Sequence, residues 1–208
     1  MLTSKELQII ELFRKDIFTS FTIRGIMKKI NTKSYNWTHG AIKKLQKEKI
    51  ITVKKKGQSQ LCTINLETHL TIIYLGLLEE LNAINRKIHN LSKIINLLDI
   101  MEGQNFYVLM IAGSYADNTF TKKSDLDVVV IIDKKEEEKW ILNKLINEGD
   151  LMIPKMHPYV FSKKDFLEML TNKEFNYGKE IAKKHLIVYG AEFYFKILRE
   201  AIKYGYGS

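Results

Sequence analysis

The chain has 208 residues, 45% of them hydrophobic and 27% charged, enough to bury a sizeable core and to form one or two domains. Its one cysteine, Cys62, excludes an internal disulfide, and no apolar run reaches the length of a membrane span. With no signal-peptide pattern at the start, a cytoplasmic protein is expected.

The formal charge of +9 is unevenly spread. Residues 1–65 hold 14 Lys or Arg against four acids, leaving 19 basic and 20 acidic residues in the rest. All the excess positive charge is therefore N-terminal, as expected of a nucleic-acid module joined to a near-neutral one.

Within that basic segment, Ser4 can cap a helix whose Leu7, Ile10 and Phe13 fall at helical spacing. Phe21 to Ile30 reads as a second helix. After the polar break NTKS, the third helix buries Ala41, Ile42 and Leu45 and uses Trp37 as a core anchor. IITVKKK and SQLCTIN then alternate as paired strands around Gly57-Gln58. Three helices and a two-stranded wing resemble a winged helix-turn-helix domain. The resemblance implies that the third helix enters the DNA major groove, with Ser34, Tyr35, Asn36, Thr38, His39, Lys43 and Lys44 as candidate contacts. Lys54, Lys55 and Lys56 would put charge on the wing, although lysine runs also serve solubility alone and winged helices also bind proteins.

Residues 66–101 contain no proline, and apolar residues recur at Leu70, Tyr74, Leu77, Leu81, Ile84, Ile88, Leu91, Ile95 and Leu98. This 3.5-residue period over four heptads predicts one long connecting helix with a coiled-coil seam. A lone helix cannot bury such a stripe. It either packs on its own domains or pairs with a second copy, and a homodimer through residues 70–98 suits two winged helices on a two-fold DNA site.

The apolar run FYVLMIA, Phe106 to Ala112, is strand-like and ends at Gly113-Ser114, where a helix can start. Gly113 lets backbone N–H groups approach an anion, and Ser114 adds a hydroxyl donor. Ser124-Asp125-Leu126-Asp127 then leads into VVVII, and period two puts Asp125 and Asp127 on one face of a strand. Such a pair suits Mg²⁺, or Mn²⁺, in phosphoryl or nucleotidyl transfer.

Gly113, Ser114, Ala116, Ser124, Asp125 and Asp127 together resemble the signature of the minimal nucleotidyltransferases of the DNA polymerase β-like superfamily. Asn118 stands where that signature has glycine, and asparagine tolerates the left-handed backbone well. The resemblance implies that Gly113, Ser114 and Ser124 bind the phosphates of a nucleoside triphosphate and that Asp125 and Asp127 hold the divalent metal. It also implies a third carboxylate on a later strand. KMHPYVF, Lys155 to Phe161, is that strand, yet it offers His157 and no acid, while Asp150 and Asp165 lie outside it. Glu180 to Leu198 resembles the closing segment of these domains, a strand reaching Tyr189-Gly190 and then a last helix.

The expected protein is α+β in three parts: a winged helix-turn-helix over 1–65, the connecting helix over 66–101, and a nucleotidyltransferase fold over 102–208 with a mixed sheet flanked by helices. Its expected activity is Mg²⁺-dependent transfer of a nucleotide to an acceptor hydroxyl, with a partner toxin protein as one acceptor the resemblance suggests. The alternative is a DNA-binding regulator whose second domain senses nucleotide without turnover.

Overall fold

The structure is a computed structural model and describes residues 2–86, 88, 91–101, 106–150 and 152–207. It divides into two compact units, Met1–Leu78 and Glu79–Ser208.

Unit one begins with helix α1, Ser4–Arg14, and its cap is Thr3, not Ser4. The Thr3 hydroxyl accepts from the Glu6 amide, while the Glu6 carboxylate accepts from the Thr3 amide at 2.7 Å, so two orphan donors of the first turn are satisfied reciprocally. The segment read as a second helix starts with a two-residue strand β1, Phe21–Thr22, before α2, Ile23–Lys29. Helix α3, Tyr35–Lys47, is capped by Ser34 and buries Ala41, Ile42 and Leu45. Strands β2, Ile51–Lys56, and β3, Ser59–Ile64, pair antiparallel across Gly57-Gln58, with Gly57 at φ +59. The sheet order is β1-β3-β2. Ile9, Ile10, Phe13, Ile26, Ile42, Leu45 and Cys62 form its solvent-excluded centre.

The single connecting helix expected over 66–101 is not what forms. Helix α4, His69–Asn85, ends before a break, and α5, Leu91–Asn96, is followed by a 3-10 turn, Leu97–Met101; Lys87, His89 and Asn90 lie outside the described residues. The physical reason lies in burial. Ile94, Leu97 and Met101 are drawn into the core of unit two, with Ile88, Leu91 and Leu98 packed against it. The unit boundary itself falls within α4. Part of the expected seam stays outside: Leu77, Leu81 and Ile84 of α4 are exposed.

Unit two is built on a mixed sheet in the order β6-β5-β4-β7. Its strands are β4, Tyr107–Ala112; β5, Leu126–Ile132; β6, Met156–Ser162; and β7, His185–Tyr189. Strand β4 runs antiparallel to β5 and β7, and β5 runs parallel to β6. The helices are α6, Gly113–Asp117; α7, Glu138–Gly149; α8, Lys163–Thr171; α9, Tyr177–Lys183; and α10, Ala191–Lys203. Leu126, Val128, Val130 and Ile132 of β5 face a core shared with Ile141 and Leu145 of α7. The opposite face carries Asp127 and is covered by α8 and α10, with α9 packed on α8, as period two requires. The end of β4 and the starts of β5, β6 and β7 meet at one end of the sheet, and the Gly-Ser turn sits there.

Candidate active site

Gly113 opens α6 with φ +63, a backbone conformation that side-chain-bearing residues rarely adopt. A Cβ at this position would lie 2.6 Å from Asp127 Oδ2, well inside van der Waals contact. The Gly-Ser turn and the second aspartate of the SDLD segment are thus pressed together, and only glycine leaves the carboxylate its place. Helix α6 ends after five residues at Asn118, whose φ of 64 and ψ of 32 are left-handed. With so short a helix, anion attraction rests on the amides of the Gly113-Ser114 turn itself more than on a helix dipole.

Asp125 precedes β5 and is exposed; Asp127 lies within it and is half-buried, and Leu126 between them is fully buried. Period two therefore holds as expected. The Asp127 carboxyl is pushed above the usual carboxylate range by burial, with His157 lowering it and the charges of Asp125 and Glu180 raising it further. The register pairs Asp127 with His157. Histidine thus occupies the strand position expected to carry the third acid. Among the described residues, no group of three or more His, Cys, Asp or Glu side chains is arranged to hold a metal ion. What does fit a divalent cation is the donor chemistry of Asp125 and Asp127, two hard carboxylates flanking the buried Leu126, the second of them beside the turn kept clear by Gly113.

Ser124 is hydrogen-bonded within its own loop. Its hydroxyl accepts from the Thr121 amide at 2.9 Å, and its own amide donates to the Thr121 carbonyl at 3.1 Å. It closes the loop that delivers Asp125 to the start of β5. Lys122 and Lys123 in that loop and Lys155 before β6 are exposed, and the Lys155 carbonyl accepts from the Leu126 amide at 2.8 Å. Lys122 and Lys123 stand three and two residues before Asp125, and Lys155 borders the residue between the two aspartates, so these segments bring positive charge suited to a polyphosphate.

Three site neighbours escaped the sequence reading. Residues 180–183 form the end of a helix and not the entry to a strand. Asn176 caps α9, its side chain accepting from the Lys179 amide at 3.1 Å. That cap, in the run NYGKEIAKK, is the signal that marks the helix. From α9, Glu180 acts electrostatically on Asp127, and Tyr177 lies against β6, its ring 4.8 Å from that of Tyr159. Just past the helix, Lys184 Nζ reaches Asp117 Oδ2 of α6 at 2.9 Å. The Asp117 carboxyl is held below its ordinary range by the Thr119 hydroxyl and by Lys184.

In unit one the residues expected at DNA separate into two groups. Ser34, Tyr35, Asn36, Lys43, Lys54, Lys55 and Lys56 are exposed, with the Tyr35 ring stacked on His39 at 6.0 Å. Thr38 is wholly buried and donates its hydroxyl to the Ser34 carbonyl at 2.9 Å, so it is a packing residue of α3 and not a contact. Lys44 is tied to the buried Glu6 at 2.9 and 3.0 Å. Trp37 is only half-buried, with the Lys5 ammonium over its ring at 5.8 Å. Thr22, Arg24, Tyr35, His39, Lys55 and Gln60 line a groove of about 630 Å³.

The nucleotidyltransferase domain family matches residues 79–189, more than half of the chain, and the chain belongs to that family. No curated protein matches it. A solved structure of Bordetella bronchiseptica BpsR, concerned with regulation of its DNA binding by 6-hydroxynicotinic acid, is similar over 48% of this chain and 79% of its own. The identity is 14% and the TM-score 0.31, too loose a likeness to bear on fold or function. Among the described residues, no helix is long and apolar enough to cross a membrane.

Proposed function

We propose that unit two transfers a nucleotide from a nucleoside triphosphate to an acceptor hydroxyl in a Mg²⁺-dependent reaction, which Mn²⁺ also supports. The observation that carries this reading is the contact between Gly113 and Asp127, because a carboxylate laid directly over a Gly-Ser turn brings metal-binding oxygens and phosphate-binding amides to one point. Asp125 and Asp127 hold the cation, Gly113 and Ser114 receive the phosphates, and Lys122, Lys123 and Lys155 supply further positive charge. The cation's contribution, when bound, is to neutralise charge on the phosphates as the leaving pyrophosphate departs. A partner protein such as a toxin is a fitting acceptor class. Incubation of the full chain with α-labelled nucleoside triphosphate, Mg²⁺ and acceptors should label one acceptor and fail to do so in Asp125→Ala/Asp127→Ala. No label on any acceptor and no nucleotide binding would reject the reading.

A second reading concerns unit one, which we infer to be a winged helix that binds DNA. It rests on the groove beside the exposed Tyr35-His39 pair and on the three lysines of the β2–β3 hairpin. In this reading two chains pair through the exposed Leu77, Leu81 and Ile84 of α4. Should His157 leave the site unable to turn over, unit two would then serve this regulator as a nucleotide sensor. Electrophoretic mobility of duplex DNA at low salt tests it; the absence of any shift by the full chain contradicts it.

A further inference from the structure

Strand β6 offers His157 where an acid was expected, and a carboxylate able to take the proton of the reacting hydroxyl stands elsewhere in the unit. Helix α9 carries it. This helix packs on α8, and its two ends are tied to different strands of the sheet. At its start, Tyr177 packs its ring against Tyr159 at 4.8 Å and Phe161 at 6.4 Å, both on the β6 face shared with His157 and Asp127. Its far end leads into β7, where His185 pairs with Ala112, the residue before Gly113. There Lys184 closes on Asp117 at 2.9 Å. Tyr177 and Glu180, three residues apart within α9, lie along one face, and Lys184 follows just past the helix end. Glu180 lies between these two anchor points along the helix. Its charge acts on Asp127, Tyr177 and Lys184 alike, in keeping with that placement.

We propose that Glu180 is the catalytic base of the nucleotidyl transfer, presented by a helix in place of the acid missing from β6. The proposal rests on the nucleotidyltransferase reading of this site. The acceptor oxygen forms a bond to the α-phosphorus, the bond from that phosphorus to the bridging oxygen breaks, and pyrophosphate leaves with the electron pair. The acceptor's proton passes to the Glu180 carboxylate. A base must leave room for the acceptor between itself and the phosphate. The exposure of Glu180 keeps it open to an incoming hydroxyl.

The test uses the full chain with each of the four ribonucleoside triphosphates and Mg²⁺, water serving as the simplest acceptor. Two quantities are read: affinity for a fluorescent nucleoside triphosphate with Mg²⁺, and release of pyrophosphate with the nucleoside monophosphate. Glu180→Gln should bind within about twofold of wild type and turn over about 100-fold more slowly or worse, the usual effect of losing a positioned base. Glu180→Asp should recover part of the rate, which a merely structural loss would not allow. Equal turnover in Glu180→Gln overturns the assignment, as does loss of nucleotide binding in that variant. A large loss in His157→Gln with none in Glu180→Gln overturns it in favour of the histidine. A wild type that binds Mg²⁺ and nucleotide without releasing pyrophosphate overturns it and leaves a sensor; a wild type that binds neither rejects the nucleotidyltransferase reading itself.

Discussion

Gly113 and Asp127, fourteen residues apart, meet so closely that a single added Cβ would stand 2.6 Å from the carboxylate. The turn and the aspartate thus act as one unit, and a change in either is felt by both.

Replacing Gly113 by alanine tests this coupling. The new side chain must adopt φ near +63 and must also displace Asp127. Left-handed backbone at a non-glycine residue costs about 1–3 kcal/mol. A drop in thermal midpoint of that order is expected, together with loss of Mg²⁺-dependent nucleotide binding, whereas Gly40→Ala, where a Cβ meets nothing within 4 Å, should do neither.

Asp127 should be a residue kept at some expense to the fold. Burial and the charges of Asp125 and Glu180 raise its pKa against the opposing effect of His157, so the folded state holds its proton to higher pH than the unfolded state does. Stability from that proton is fully present below the unfolded carboxylate pKa, about 3.9, and is lost as pH rises through the folded value. Asp127→Asn should therefore be more stable than wild type at pH 7, with the difference shrinking as pH falls towards 4, read from urea midpoints. Saturating Mg²⁺ and nucleotide should reverse the order, adding about 2.7 kcal/mol to wild type alone at one hundred times Kd.

The pairing of Lys44 with Glu6 predicts a fold defect more than a DNA defect. Burial works to raise the Glu6 pKa, but the Thr3 amide and the Lys44 ammonium outweigh it and hold the carboxyl below its ordinary range. This stability is present above the unfolded pKa and lost as pH falls through the folded one. Lys44→Ala leaves a buried carboxylate short of a partner and should cost about 1 kcal/mol, the lysine being partly exposed. Thermal melts at pH 7 and pH 4 should show the defect at the higher pH and little at the lower.

If unit one binds DNA, Lys54→Ala/Lys55→Ala/Lys56→Ala should weaken binding about equally for all sequences and flatten its salt dependence, the mark of lost phosphate contacts. Tyr35→Ala should alter sequence preference at similar salt dependence. Affinities measured from 50 to 200 mM salt separate the two, and unchanged binding in the triple variant contradicts the expected role of the hairpin.

Leu81→Asp/Ile84→Asp should give a monomer by light scattering if α4 pairs two chains, since both side chains are already exposed in one chain. A monomeric wild type contradicts the pairing.

Much of this molecule is legible in its sequence because local signals and tertiary needs agree there. The strand before Gly113, the alternation across Leu126 and the hairpin at Gly57-Gln58 are set by short-range backbone geometry. The left-handed Asn118 follows the same rule. What could not be read depends on partners far along the chain. The apolar period of 66–101 is real, but Ile94 and Leu97 find a sheet to cover, so the helix breaks. Thr38 looked like a polar surface residue until the core closed over it. Glu180 lies 53 positions after Asp127, and only the path of α9 brings the two into electrostatic range.

The most direct test of the site is calorimetric titration of the full chain with a nucleoside triphosphate whose α,β-bridging oxygen is a methylene, in Mg²⁺ and again in a chelator. Binding that requires Mg²⁺ and vanishes in Asp125→Ala/Asp127→Ala, with the fold retained by circular dichroism, is the predicted result. No binding, or binding that survives both the chelator and the double substitution, would contradict it.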